Sequence, residues 1–183
     1  QGYKAFYLAI GCQGGRTAGV PGEDAAGIQT AVALLRTVGG DESHKMTGKT
    51  VVIGGGNVAI DAARVALRCG SSDVTMACLE PREKMPASAE EIAEAEEEGT
   101  AIRCGYGPKE FLTKDGHACG VVLKRCTGLY DAEGRFAPTY DENVTITLPC
   151  DNVVLSIGQC IQWGNLLDGE AVQLGRGQGA VAD

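Results

Sequence analysis

A glycine-rich turn between a short apolar strand and a helix constrains this chain more than any other feature of its sequence. The β-branched run Thr50-Val51-Val52-Ile53 predicts a buried strand that leads directly into Gly54-Gly55-Gly56. Apolar residues at helical spacing then predict a helix over 57–69, and a second strand is predicted at 74–79. Strand, helix and strand together have the length of a βαβ unit, about 30 residues, and such a unit requires a parallel sheet.

The turn fits the pattern Gly-x-Gly-x-x-Gly/Ala, in which three positions have different tasks. Gly54 allows the tight turn, Gly56 lets a pyrophosphate approach the backbone, and Ala59 lets the helix pack closely on the strand. Amide groups at the start of the helix would then hold the phosphates. The motif alone is weak evidence, but here it has the strand before it and the helix after it that the interpretation needs. We therefore predict a dinucleotide site here, which also includes Gly55 and Val58.

The residues that follow the second strand decide which dinucleotide is favoured. They read Cys78-Leu79-Glu80-Pro81-Arg82. An acid at this place bonds the ribose hydroxyls of NAD, whereas an arginine pairs with the 2′-phosphate of NADP. Glu80 therefore favours NAD(H), while Arg82 keeps NADP(H) open. The competing interpretation of Glu80 is a solvated loop residue without a ligand.

Charge and cysteine spacing exclude several classes of function. The net charge is −8, with acids concentrated between Glu90 and Glu98, so the electrostatic field disfavours a nucleic acid or an anionic membrane as partner. No apolar run approaches the roughly 20 residues of a membrane span. The eight cysteines contain no Cys-x-x-Cys, which argues against a redox pair, a zinc ribbon or the commonest iron–sulfur run within this chain. We expect buried, reduced thiols in a cytoplasmic protein, and no metal site.

The remaining pattern predicts an α/β fold: a Rossmann-like FAD/NAD(P)-binding domain, with a parallel sheet flanked by helices and an antiparallel β-meander. Buried strands are predicted at 4–10 and 152–157. A helix is predicted from the N-cap Asp24 to about Val38, and Ser88 predicts a capping box that opens a solvated, acidic helix. The predicted strands of the meander are 101–104, 110–113, 120–126 and 144–148.

Several motifs recur in combination along the chain. The glycine turn continues as Asn57-Val58-Ala59-Ile60-Asp61-Ala62-Ala63-Arg64, and it is followed by Arg82-Glu83-Lys84-Met85-Pro86-Ala87 and by an acidic helix that ends at Gly99. The flanks 6–11 and 150–159 add two apolar strands that end in glycine. Together these segments resemble the small (beta) subunit of glutamate synthase and its relatives, within the pyridine nucleotide-disulfide oxidoreductase superfamily. The resemblance covers nearly the whole chain.

The resemblance implies a domain organisation and an activity. Residues 28–150 would form the NAD(P)H-binding domain, and 1–27 and 151–183 would be parts of a truncated FAD-binding domain. In the parent protein NADH would pass hydride to FAD, and electrons would leave through iron–sulfur clusters to a large subunit or another electron acceptor. The flavin domain would belong to the same parent chain. This chain alone is not expected to hold FAD or to turn over.

The resemblance also assigns site residues. Asn57 and Asp61 would lie on the end of the helix that faces the cofactor, and no residue is expected to serve as an acid or base. NADPH-using members commonly have a tyrosine and two arginines where this chain has Cys78-Leu79-Glu80, which favours NADH. Two alternatives stay open, a non-enzymatic regulatory or scaffold module that binds a nucleotide, and the ADP-binding turn of a flavin domain itself. The residues expected near the junction of nicotinamide and flavin are Ser156, Gly158 and Gln159, with Gly11 at the end of the first flanking strand.

Overall fold

The computed structural model describes residue 2 and residues 4–175 and 178–181. The predicted loop at the C-terminal end includes residues 176 and 177, which lie outside the described residues. Three α-helices and ten β-strands are assigned within the described part of the chain. In chain order they are β1 (Gly14–Gly15), β2 (Ile28–Thr30), α1 (Ala31–Gly40), β3 (Lys49–Ile53), α2 (Asn57–Arg68), β4 (Asp73–Cys78), a 3-10 turn (Arg82–Lys84), α3 (Ala89–Glu97), β5 (Ala101–Cys104), β6 (Tyr106–Lys114), β7 (His117–Tyr130), β8 (Phe136–Leu148), β9 (Asn152–Leu155) and β10 (Gln159–Cys160).

A five-stranded parallel sheet with the order β2-β9-β3-β4-β5 forms the centre of the fold. Successive residues of β3 point to opposite faces of this sheet. Val52 packs into the helix-side core with Ile60, while Val51 and Ile53 pack into a second core against the meander. Because both faces are covered, the strand is apolar at consecutive positions rather than at alternate ones. The predicted α/β fold class is confirmed.

The chain reverses its direction of travel across the sheet between β3 and β9. From β3 it continues outward to β4 and β5, and after the meander it returns as β9 on the other side of β3. Ligands of open α/β sheets bind at such a switch point, beyond the carboxyl ends of the strands. β9 lies beyond the predicted domain boundary at residue 150, yet it pairs with both β2 and β3. The sheet therefore draws on the predicted C-terminal flank as well.

The antiparallel meander consists of β6, β7 and β8, whose strands are longer than predicted. The segment 101–104 was expected to be its first strand, and that assignment is wrong. It forms β5, which pairs in parallel with β4, so that Cys104 lies opposite Cys78. A strand of only four residues fits either kind of pairing, and the helix α3 between β4 and β5 provides the crossover that a parallel pair needs.

Two predictions near the N-terminus are wrong. Residues 4–10 form no strand, and the side chains of Phe6 and Tyr7 are 82% and 93% exposed. The strand that pairs with β9 at the sheet edge is instead β2. The first helix begins at Ala31 rather than after Asp24, because residues 28–30 are drawn into the sheet and the Thr30 hydroxyl accepts a hydrogen bond from the Ala33 amide at 3.3 Å.

The N-cap predicted at Ser88 is confirmed, but the second half of the capping box does not form, because the Ser88 amide donates to the side-chain oxygen of Asn57 rather than to the Glu91 carboxylate. The Ser88 hydroxyl accepts a hydrogen bond from the Glu91 amide at 3.2 Å and donates to the Glu91 carboxylate at 2.9 Å. The helix buries only Ile92 and Ala95, as its acidic pattern predicts. Glu94 of α3 and its C-cap residue Glu98 face α2, where Arg64 forms ion pairs with them at 2.7 Å and 2.5 Å respectively. No helix within the described residues is long and apolar enough to cross a membrane.

Candidate functional site

A cavity of 560 Å³ opens at the carboxyl ends of β3, β4 and β9, on the side of the sheet that carries the meander. The glycine turn and the end of β4 form one side of this cavity, and Ser156 after β9 forms another. The meander and the loop that begins at Arg16 complete the lining. Of the predicted site residues, the cavity brings together Gly54, Gly55, Gly56, Glu80 and Ser156.

The position of Gly54 admits only glycine. Its φ of +145° is a conformation that other residues rarely adopt, and a Cβ placed there would lie 2.3 Å from the carbonyl oxygen of Ser156. The amide of Gly54 donates to the Ala77 carbonyl at 2.8 Å, and the amide of Ser156 donates to the Ile53 carbonyl at 2.7 Å. This turn therefore joins the ends of three neighbouring strands. Ala59 is fully buried beneath it, as the close packing of helix on strand requires.

Gly56 leaves open space where α2 begins. It is the N-cap residue, with φ −93°, and none of the described side chains caps the amides at the start of the helix. A Cβ at Gly56 would have no atom of the described residues within 4 Å. The first turn of α2 contains no acidic residue, so no carboxylate of that turn offsets the positive end of the helix dipole. An uncapped helix start beside open space fits the pyrophosphate of a dinucleotide.

Glu80 extends from the end of β4 over the glycine turn. Its Oε2 would lie 3.0 Å from a Cβ on Gly55, so the carboxylate and the turn are in direct proximity. Arg82 has a different environment: its guanidinium is paired with Glu96 on α3, and it does not line the cavity. The two candidates for ribose recognition are therefore separated in space, and Glu80 alone faces the cavity.

Other predicted site residues lie elsewhere. Asn57, Val58, Gly158 and Gln159 line a second cavity of 340 Å³, between the start of α2 and the end of β9. The Asn57 side chain is already engaged, because its oxygen accepts a hydrogen bond from the Ser88 amide at 3.2 Å. The two cavities share Gly56 and Ser156. Gly11 and Asp61 line neither of them.

Sequence reasoning missed the residues that the meander and the loop after β1 contribute to the main cavity, among them Arg16, Tyr106, Lys124 and Tyr140. Tyr106 begins β6, while Lys124 and Tyr140 lie on the next two strands of the meander. Arg16 follows β1, and its backbone amide donates to the carbonyl of Gly158 at 3.0 Å. No local pattern marks these residues, because they come from separate segments that only the folded sheet brings together.

The thiols differ in their exposure. No disulfide forms among the described residues; Cys69, Cys78 and Cys150 are buried as expected, but Cys12 and Cys119 are exposed and the other three cysteines, Cys104, Cys126 and Cys160, are partly buried. Burial raises the pKa of Cys78 and that of Cys150 to about 12 in each case, with a neighbouring thiol adding to the effect. At neutral pH these two groups are therefore thiols rather than reactive thiolates.

We expect a thiol-specific reagent to distinguish these groups. At pH 8 an aromatic disulfide should modify Cys12 and Cys119 quickly, whereas Cys78 and Cys150 should react only when the chain unfolds. Mass spectrometry of peptides from the partly modified protein measures the order of reaction. Equal rates of modification at Cys78 and Cys12 in the folded chain would contradict the burial of Cys78. The variant Cys12→Ser is the control, because it removes one of the two sites that should react quickly.

Comparison with known proteins adds independent findings. The family model described as pyridine nucleotide-disulphide oxidoreductase matches residues 1–183. The NADP(+)-dependent formate dehydrogenase subunit beta of Moorella thermoacetica is 36% identical over 178 residues, which are 95% of this chain and 25% of that protein. The glutamate synthase [NADPH] small chain of Escherichia coli (strain K12) is 31% identical over 169 residues, 85% of this chain and 36% of that protein. The chain therefore spans about a quarter to a third of these relatives, and the predicted resemblance is confirmed.

A solved structure agrees with the fold. Mycobacterium tuberculosis FprA in complex with NADPH matches with a TM-score of 0.66 and 21% sequence identity, over 83% of this chain and 49% of that chain. At this level of identity the match concerns the fold alone.

Proposed function

This chain belongs to the pyridine nucleotide-disulphide oxidoreductase family, and on that premise we propose that it is the NAD(P)H-binding domain of a flavin-dependent oxidoreductase, with NADH as the favoured nucleotide. The observation that carries the proposal is the site at the switch point of the sheet. There the uncapped start of α2 and the open space at Gly56 meet the carboxylate of Glu80. A pyrophosphate on the helix start places the adenosine ribose toward the end of β4, within reach of Glu80.

The preference for NADH rests on charge. A carboxylate at the ribose accepts hydrogen bonds from its two hydroxyls but repels a 2′-phosphate. Arg82 would be the obvious partner of a 2′-phosphate, yet its pairing with Glu96 holds it away from the cavity. The Escherichia coli and Moorella relatives carry NADPH or NADP(+) in their names. We therefore infer that this chain departs from them in its choice of nucleotide.

The rest of the proposal concerns the parent protein. Residues 28–150 form the nucleotide-binding domain, and 1–27 and 151–183 belong to the flavin domain of the same chain. Strand β9, in the second of these flanks, completes the parallel sheet of the nucleotide-binding domain. When bound, the reduced nicotinamide supplies a hydride that passes to FAD, and the electrons continue through iron–sulfur clusters to a large subunit or another acceptor. Ser156, Gly158 and Gln159 border the nicotinamide end of the site, and none of the described side chains needs to act as an acid or base. Free thiols support a cytoplasmic location.

Calorimetric titration of the chain with NADH and NADPH, side by side, tests nucleotide choice. We expect NADH to bind roughly 5- to 30-fold more tightly, because one unfavourable charge contact costs roughly 1–2 kcal/mol in a partly solvated site. Tighter binding of NADPH would overturn the preference, and binding of neither would overturn the nucleotide site in this chain.

The flavin-linked activity needs a separate experiment on the protein encoded by the whole open reading frame. Addition of NADH under anaerobic conditions should bleach the absorbance of its flavin. Binding of NADH without any bound flavin would favour the regulatory or scaffold module instead.

A further inference from the structure

The meander presents aromatic side chains to the cavity beside the proposed ribose site. Tyr106 on β6 and Tyr140 on β8 both line this cavity, and we call these two residues the aromatic wall. The backbone places the wall next to Glu80, because the Gly105 amide donates to the Glu80 carbonyl at 3.1 Å. A base attached to a ribose at Glu80 would therefore meet the wall.

Close packing holds Tyr140 at this position. A Cβ on Gly107 would lie 2.6 Å from Cδ2 of Leu79 and 2.9 Å from Cε1 of Tyr140, so Gly107 is enclosed between the β4 end and the phenol ring. The ring is partly buried, and this burial raises the pKa of the Tyr140 hydroxyl above its ordinary value. Tyr140 is therefore a neutral, oriented surface rather than a mobile side chain.

Cations from β7 hold both rings. Nζ of Lys124 lies 4.3 Å from the ring centroid of Tyr140, and the Arg125 guanidinium lies 5.3 Å from that of Tyr106. Glu142 holds Lys124 in turn, with Oε1 at 2.7 Å from Nζ. Each ring is thus fixed by a cation on the neighbouring strand, and Lys124 is a positioning residue for Tyr140.

We propose that the aromatic wall is the subsite for the adenine base, with Tyr106 and Tyr140 stacking against it. This inference rests on the proposed function, since it takes Glu80 as the ribose ligand. Stacking on aromatic side chains stabilises a bound base without requiring a particular set of hydrogen bonds. The wall therefore contributes affinity for the adenosine half of the dinucleotide and none for the phosphates.

The test compares ligands with and without a base. The chain and its variants are titrated with ADP-ribose, which contains the base, and with inorganic pyrophosphate, which binds at the glycine turn without one. Tyr140→Ala should lower the affinity for ADP-ribose by about tenfold and leave the affinity for pyrophosphate unchanged. Tyr140→Phe should retain the affinity of the wild type, because the ring remains. Tyr7→Ala is the matched control, since Tyr7 is exposed and lies outside the cavity.

The outcomes separate this inference from the proposed function. If the wild type binds ADP-ribose and neither Tyr140→Ala nor Tyr106→Ala weakens it, the adenine subsite is wrong and the nucleotide site stands. If Tyr140→Ala binds neither ADP-ribose nor pyrophosphate, the effect of the substitution is not specific to the base, and the assignment of the adenine subsite is overturned. Circular dichroism of Tyr140→Ala shows whether its fold is disturbed. If the wild type binds no nucleotide, both proposals fail.

Discussion

Replacing Gly54 by alanine is expected to destabilise the fold by about 3 kcal/mol or more. The new Cβ would lie 2.3 Å from a backbone oxygen, that of Ser156, and the residue would keep a φ of +145° that alanine disfavours. A backbone oxygen cannot rotate away as the end of a side chain can, so β3 and β9 would have to move apart. Urea unfolding followed by circular dichroism measures the free energy of unfolding.

Gly56→Ala is the matched control for that prediction. Gly56 has φ −93° and open space around a new Cβ, so the loss of stability should stay below about 1 kcal/mol. The methyl group would instead occupy the place that we propose for the pyrophosphate, and the affinity for NADH should fall by at least about tenfold. Equal stability of the Gly54→Ala and wild-type chains would contradict the geometry of the turn. Unchanged NADH affinity of Gly56→Ala would contradict the placement of the phosphates.

Glu80→Arg is expected to reverse the choice of nucleotide. The substitution removes the carboxylate that we propose as an acceptor for the ribose hydroxyls. One hydrogen bond to a charged acceptor is worth about 1.5–3 kcal/mol, so the loss of one such bond should weaken NADH binding roughly 10- to 100-fold. The guanidinium would pair with a 2′-phosphate, and NADPH should bind more tightly than it binds the wild type. Calorimetric titration with both nucleotides measures the change.

Glu83→Arg controls for the change in net charge. Glu83 is exposed in the neighbouring 3-10 turn and does not line the cavity, so this variant should keep the preference for NADH. If Glu80→Arg and Glu83→Arg change the affinity for NADH equally, the change comes from the net charge of the protein and not from the position of Glu80. If Glu80→Arg leaves NADH binding unchanged, Glu80 is a solvated loop residue and the assignment of the ribose is wrong.

The sequence predicted the glycine turn between β3 and α2 because every requirement of that turn is local. A β-branched strand, three consecutive glycines and an amphipathic helix are neighbours in the chain, and the conformation at Gly54 can be inferred from residue type alone. The capped start of α3 at Ser88 is local in the same way. These elements appear in the structure close to where the sequence placed them.

Strand pairing was less predictable. Residues 4–10 and 101–104 are both short apolar runs, yet the first forms no strand and the second joins the parallel sheet beside β4. An apolar run gains stability as a strand only when a neighbour satisfies its backbone groups. Which segment provides that neighbour depends on contacts between residues far apart in the chain.

The sequence by itself determined the class of fold, the glycine turn and the position of Glu80 after β4. The tertiary structure alone decided that Arg82 pairs with Glu96, away from the cavity, and that Tyr106 and Tyr140 face it. The physical reason is the separation along the chain of the residues that interact. The backbone conformation of a turn depends on adjacent residues, whereas the lining of a cavity depends on which distant strands the sheet brings side by side. The candidate site combines both, because its turn is encoded locally and its walls are assembled by the fold.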